Sequence, residues 1–311
     1  MRRILLTTDG SGNSLKGARY LASLYRGAEN LEVNVLTVSP RIPPLFLEEA
    51  PHDPKVMRQF EAWKRRKEEE AKKCLEEAKF TLQQGGLKIN QIQTKYKQLR
   101  VGVAQDIIRE ADAEKYNGIV IGKKGMGWLD EMLLGSITNK LLEISEDHPL
   151  WVVDGKDWNP RKILIAMDET EHAVEVAGYA GRMLQGLPGV EILLYHFCLP
   201  YIDLPANHEE EEIIKRYIER RRDRMTQVFA EAQKALRTFG FPENAVQTRF
   251  YCETRPGDKK ISLAILAEVR EGNFGTLVIG RKGSTRAREF KLGSVSLRTV
   301  TEAENCAVWV V

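Results

Sequence analysis

Short apolar runs alternate with longer stretches in which apolar positions recur every three or four residues, and this alternation continues along the chain. Ile4-Leu5-Leu6-Thr7 reads as a strand, and Leu15, Ala18, Leu21, Ala22 and Tyr25 follow it at helical spacing. The pattern then predicts a strand at Val33–Val38, a long charged helix ending near Gly85-Gly86, and a strand near Ile92–Tyr96. A helix at Gln105–Glu114, a strand at Ile119–Ile121, a helix after Ser136 and a last strand at Leu150–Val153 complete the series. Gly118-Ile119-Val120-Ile121 and Leu277-Val278-Ile279 are apolar on both faces, as strands of a helix-covered parallel sheet must be. Alternating strands and helices with right-handed crossovers give a doubly wound α/β sheet. Such sheets hold ligands beyond the carboxyl ends of their strands, where the strand order reverses.

The series occurs twice. Gly122-Lys123-Lys124-Gly125 recurs as Gly280-Arg281-Lys282-Gly283, and Trp151-Val152-Val153 as Trp309-Val310-Val311, both displaced by 280 − 122 = 309 − 151 = 158 positions. Asp9 matches Asp168, and Gln93-Thr94-Lys95-Tyr96 matches Gln247-Thr248-Arg249-Phe250, in the same order along the chain. A period this long means duplicated domains and not a solenoid. The expected domains are 1–155 and 160–311, joined by the polar Asp154-Gly155-Lys156-Asp157-Trp158-Asn159-Pro160.

Composition narrows the function classes. The 311 residues exceed one ordinary domain, and 42% hydrophobic with 29% charged residues is a soluble balance. No apolar run approaches the roughly 20 residues of a membrane span. Met1-Arg2-Arg3 leads directly into Ile4-Leu5-Leu6 without a signal-peptide stretch, so a cytoplasmic protein is expected. The net charge of +3, with acids and bases mixed along the chain, gives no case for nucleic acid. Cys74, Cys198, Cys252 and Cys306 form no CxxC pair, and His52, His148, His172, His196 and His208 show no ligand spacing, so no metal site is signalled. His196 stands out because it adjoins Phe197 at the end of a second strand.

The chemistry concentrates after the fourth strand of each copy. The first reads Gly122-x2-Gly125-x9-Gly135-Ser136 and the second Gly280-x2-Gly283-x9-Gly293-Ser294, with identical spacing. Glycines there permit positive φ and close approach of a ligand to the backbone. The final Gly-Ser opens a helix, whose free N–H groups and dipole attract an anion; the serine hydroxyl can cap that helix or donate to phosphate. Lys123, Lys124, Arg281 and Lys282 add positive charge beside the loops. The plainer reading is a strand-to-helix turn with ordinary capping, and two identical copies argue against it. Asp9 and Asp168 end the first strands, where an aspartate commonly serves a turn. With the first and fourth strands adjacent, each would share a crevice with its glycine loop and, repelling phosphate, would read the base or ribose.

On these motifs the chain resembles, over essentially its whole length, tandem universal stress proteins of the ATP-binding type. The resemblance implies two tandem doubly wound five-stranded parallel sheets of strand order 3-2-1-4-5, an adenine nucleotide alpha hydrolase-like fold, and bound ATP or AMP, with Mg²⁺ accompanying ATP. It assigns Asp9, Gly122, Gly125, Gly135 and Ser136 to one site and Asp168, Gly280, Gly283, Gly293 and Ser294 to the other, with Val38 and Phe197 touching adenine chiefly through backbone. Asp168-Glu169-Thr170 departs from the small Asp9-Gly10-Ser11 turn, which puts the second adenine end in question. The family also implies an intramolecular pseudo-dimer through the last strands, with a further homodimer or an unknown protein partner open.

The sequence lacks GxxxxGK[ST], GxGxxG after a strand, GxSxG and HExxH. Two function classes stand: a nucleotide-binding stress or signalling module, and a slow ATP hydrolase or phosphate-transferring enzyme. The matched motifs supply no evident base, which favours the module, and no catalytic residue is assigned. Met126–Leu134 carries two acids and no base, whereas Ser284–Leu292 carries three bases and one acid, so the second site is expected to hold triphosphate more strongly. The competing expectation is that the acids of the first loop hold Mg²⁺. The charged runs Lys64–Glu70 and Arg220–Arg224 read as solvated helix faces over apolar stripes such as Ile214, Ile218, Met225 and Phe229, or else as docking surfaces.

Overall fold

The structure, a computed structural model, describes residues 1–125, 134–156, 158–200, 208–253, 260–281 and 292–311, without the side chains of 208–210. The chain divides into two units, Met1–Asp154 and Gly155–Val311. The first contains β1 (Arg2–Thr7), α1 (Ser14–Leu24), β2 (Leu31–Val38), α2 (Pro44–Glu49), α3 (Pro54–Gln84), β3 (Ile92–Lys97), α4 (Val103–Glu114), β4 (Gly118–Gly122), α5 (Ser136–Ile144) and β5 (Leu150–Val153). Its strands are all parallel in the order β3-β2-β1-β4-β5, the expected 3-2-1-4-5.

The second unit contains β6 (Lys162–Ala166), α6 (Glu171–Leu184), β7 (Glu191–Cys198), α7 (His208–Thr238), β8 (Val246–Cys252), α8 (Ile261–Glu271), β9 (Thr276–Ile279), α9 (Ser294–Glu302) and β10 (Ala307–Val310). Its order, β8-β7-β6-β9-β10, is the same topology, again parallel throughout.

Each unit buries its sheet by the same means. Every residue of β4 and of β9 is buried, which explains why those runs do not alternate. The long helix α3 buries Ala71, Leu75, Ala78 and Leu82, and α7 buries Met225, Phe229, Ala232 and Leu236 at the same spacing. The outer face of α3 carries i,i+4 pairs such as Arg65–Glu61, Lys72–Glu68 and Lys73–Glu77, as the solvated-face reading of its charged run expects. Trp151 and Trp309 are fully buried and meet Tyr20 and Tyr179 edge-on, at centroid distances of 6.4 and 6.2 Å. Truncating either indole to alanine costs about 3–5 kcal/mol.

Helix α3 begins at Pro54, ten residues before the charged run Lys64–Glu70. Asp53 accepts the Lys55 amide at 2.7 Å as N-cap, and Pro54 occupies the first turn, where its missing N–H is harmless.

Candidate functional site

In each unit the strand order reverses between the first strand and the fourth, which lie side by side as β1 with β4 and β6 with β9. A crevice opens outside their carboxyl ends, because the connections there leave in opposite directions. In the first unit it is a cavity of about 210 Å³. Asp9, Gly122, Gly125, Gly135, Ser136 and Val38 all line it, and Val103 and Ile107 of α4 form an apolar wall.

Asp9 has two relations there. Its Oδ1 accepts the Ser11 amide at 3.0 Å, the hydrogen bond of a strand-end turn. Its Oδ2 lies only 2.7 Å from where a Cβ on Gly125 would stand, so the carboxylate and the glycine loop do face one another. The glycines are required for space and not for handedness. A Cβ on Gly122 would approach the Asn13 carbonyl oxygen to 2.6 Å, and one on Gly135 would meet the Lys124 Cα at 3.3 Å. None of Gly122, Gly125 and Gly135 takes a positive φ, which corrects the expectation of a left-handed loop at these positions. Gly283 lies outside the described residues, as do Lys282 and nearly all of the two charged loop segments (126–133 and 284–291).

The start of the following helix is tied to the strand end in both units. Gly135 N–H donates to the Lys123 carbonyl and Gly293 N–H to that of Arg281, both at 2.9 Å. Thr138 Oγ1 donates to the Gly122 carbonyl at 3.0 Å, and Ser296 Oγ to that of Gly280 at 2.8 Å. Gly135 and Gly293 are the N-caps, without a side-chain cap, and Ser136 and Ser294 follow as exposed first helical residues. The serines therefore do not cap. Only part of the basic charge belongs to the crevice: Lys124 lines it, but Lys123 and Arg281 are buried at 4% and 6% exposure. Their amides continue the ladder to the carbonyls of Val153 and Val311, which turns these side chains into the protein.

The second crevice has a volume of about 280 Å³ and brings together Asp168, Phe197, Gly280, Gly293 and Ser294. Asp168 Oδ1 accepts the Thr170 amide at 3.1 Å, repeating the Asp9 turn. Ile261 and Ile265 of α8 replace Val103 and Ile107 as the apolar wall. The floor differs more. In the first unit Thr8 and Ser14 share a hydrogen bond of 2.9 Å, and Met167 and Ala173 stand at the corresponding positions of the second. Gly10, at φ +78° with no room for a Cβ beside the Cys74 sulfur, is replaced by Glu169. Glu169 pairs with Arg221 at 2.5 Å and Arg224 at 3.5 Å, both from α7. Burial opposes the Arg221 charge, yet the hydrogen bond and charge of Glu169 outweigh it and raise the arginine pKa.

His196 takes the place of Thr37. Thr37 Oγ1 donates to the Thr8 carbonyl at 3.0 Å, and His196 Nδ1 lies 2.8 Å from the Met167 carbonyl. A carbonyl only accepts, so Nδ1 carries the hydrogen, and Nε2 is left as a buried lone-pair nitrogen without a partner among the described residues. Burial lowers the histidine pKa and keeps the ring neutral. Among the described residues no group of three His, Cys, Asp or Glu side chains could hold a metal ion. No helix there is long and apolar enough to cross a membrane.

Sequence reasoning missed the α4 and α8 walls and the Glu169–Arg221 pair. Val103 and Ile107 stand four residues apart at the start of α4, a signal that periodicity could have given. Arg221 lies one turn before Met225 on the same stripe of α7, but nothing local links it to Glu169, 52 residues earlier.

A model of the universal stress protein family matches residues 1–154 and again 159–311. The chain belongs to that family. Among solved structures it is similar to a universal stress protein from Archaeoglobus fulgidus DSM 4304, at 20% identity and TM-score 0.60, over 99% of this chain and 95% of that one. A putative universal stress protein from Pseudomonas aeruginosa UCBPP-PA14 is similar at 17% identity and TM-score 0.57, over 100% and 93% of the two chains. No curated protein matches the sequence. At these identities the solved universal stress proteins share the fold with this chain.

Proposed function

We propose that this universal stress protein binds an adenine nucleotide, ATP or AMP, in each of its two crevices and acts as a stress-response or signalling module. The observation that carries the reading is the juxtaposition of Asp9 with Gly125 at the point of strand-order reversal. In this reading the phosphates lie against the start of α5, where Gly135-Ser136 offer N–H groups, the helix dipole and a hydroxyl, with Lys124 adding charge. The base lies against Val38, Val103 and Ile107, and Asp9 accepts from the nucleoside side, away from the phosphates. The second crevice offers the same arrangement through Ser294, Phe197, Ile261, Ile265 and Asp168. Mg²⁺ would accompany ATP on the phosphate oxygens, since it favours oxygen ligands and keeps several waters.

Binding is favoured over catalysis because Asp9 and Asp168 are each engaged as turn acceptors. Titration of the full chain with ATP and Mg²⁺ should approach two equivalents, with any hydrolysis much slower than exchange. Folded protein that takes up no nucleotide would overturn the reading. Fast steady-state turnover would replace it with the ATP-hydrolase or phosphate-transfer alternative. The proposal extends to an intramolecular pseudo-dimer through β5 and β10. Hydrogen exchange in the amides of those strands that do not serve β4 or β9 tests it, and rapid exchange there would refute it.

A further inference from the structure

Cys198 and Cys252 are the last residues of β7 and β8 and stand opposite one another in the parallel ladder. Their side chains project from the same face, two positions beyond His196 and Phe250, whose rings stack at 5.4 Å. Neighbouring strands lie about 4.8 Å apart, within the roughly 4.4–6.8 Å between Cα atoms that a disulfide spans. The two thiols are already hydrogen-bonded to each other. Cys198 borders the second crevice but is itself buried, at 3% exposure, and Cys252 beside it is half-buried. The corresponding residues of the first unit are Ser39 and Gln98, which makes the pair a property of the second unit alone.

We infer that Cys198 and Cys252 form a reversible dithiol–disulfide pair that closes across the ends of β7 and β8 under hydrogen peroxide. In the first step the Cys198 thiol gives up its proton, its sulfur attacks one peroxide oxygen, the O–O bond breaks, hydroxide leaves and takes up that proton as water, and the sulfur becomes a sulfenic acid. In the second the Cys252 sulfur attacks the Cys198 sulfur, an S–S bond forms and water leaves. The sum is two thiols and one peroxide giving one disulfide and two waters. The roles follow from the surroundings. Burial and the hydrogen bond to Cys198 push the Cys252 thiol up to about 12, so it stays the protonated donor. Burial also raises the Cys198 thiol, but the Cys252 hydrogen bond and the Arg221 charge act to lower it, which makes Cys198 the first nucleophile. Because its thiol remains raised, attack is slow, and the pair responds to sustained oxidant and not to a trace. The inference does not depend on nucleotide binding.

The test is treatment of the full-length chain with excess hydrogen peroxide, followed by alkylation, digestion and mass spectrometry. A peptide linked through Cys198 and Cys252, about 2 Da lighter than the two free peptides together and lost on adding dithiothreitol, is the expected product. Cys252→Ser should stop at a sulfenic acid on Cys198 that a dimedone probe captures, and Cys198→Ser should give no linked peptide. Circular dichroism confirms that both variants fold, and the wild-type peptide map stands without them. Wild-type chain whose Cys198 and Cys252 stay alkylatable, or whose links run to Cys74 or Cys306 instead, would overturn the inference.

Discussion

In the first unit the end of the first strand is small and polar: Thr8 bonds Ser14, Gly10 fits against Cys74, and Thr37 closes the turn. In the second the same stations hold Met167, Ala173, Glu169 and His196, with Arg221 reaching in from α7. The strand ends, glycine spacing and helix starts are meanwhile superposable in their hydrogen bonds. Duplication has therefore kept the backbone that would face phosphates and altered the side chains that would face a base. In the proposed reading the phosphate end would depend on N–H groups and on absent Cβ atoms, which leave little room for substitution. The other end would be read by side chains, which can be exchanged in compensating sets such as Glu169 with Arg221.

The sharpest way to break the equivalence is Gly125→Val. The new side chain enters the space of Asp9 Oδ2, and affinity at the first crevice should fall by about 100-fold or more while the second is unaffected. Calorimetric stoichiometry would drop from two nucleotides to one, and unchanged stoichiometry would show that the loop is only a turn. Gly10→Glu tests whether the floors can be interchanged. The first unit has a positive φ there, no room beside Cys74, and no counterpart of the Glu169–Arg221 pair, so the exchange should destabilise it by about 2–4 kcal/mol in denaturant melts. A variant as stable as the parent would show that the two floors are equivalent.

A smaller difference is expected between the intact sites. The bases of Ser284–Leu292 against the acids of Met126–Leu134 should make the second site about tenfold tighter for ATP at low salt, with the gap narrowing as salt rises. Titration of Gly125→Val and Gly283→Val variants, each with one working site, measures it. A first site tight only with Mg²⁺ would mean that its acids hold the metal.

The least effect concerns pH. The folded state holds His196 below its ordinary pKa of 6.5, so its neutral form stabilises the second unit fully above that value. As pH falls below 6.5 the unfolded chain takes up a proton that the folded chain resists, and stability declines, by no more than about 1.4 kcal/mol per pH unit for one proton. His196→Thr keeps a donor for the Met167 carbonyl and should remove that decline. Equal pH profiles for the two chains would show that the ring is hydrated or paired when charged.

How much of this was legible beforehand differs by element. The run Leu150–Val153 coincides with β5, and Gly118–Ile121 with all but the last residue of β4, because a strand buried on both faces has few alternatives. The six-residue α2 was not anticipated, since Pro44–Glu49 is too short for a periodic signal and buries none of its residues. Spacing identifies the glycine loops, but the positive φ that glycine permits is not used at the described loop positions. Spacing reports that a Cβ is excluded and cannot report what excludes it.

The sequence by itself determined the duplication, the alternation of strands and helices, and the presence in each copy of a strand-end aspartate and a Gly-x2-Gly-x9-Gly-Ser loop, because each is written in local periodicity or in repeated motifs. The tertiary structure alone decided which residues share a crevice. Gly125 meets Asp9 from a distant part of the chain, Arg221 finds Glu169 across 52 residues, and Cys198 faces Cys252 only because β7 and β8 are in register. Those contacts are set by strand order and register, which the packing of whole helices on both faces of a sheet selects, and no single segment contains that choice.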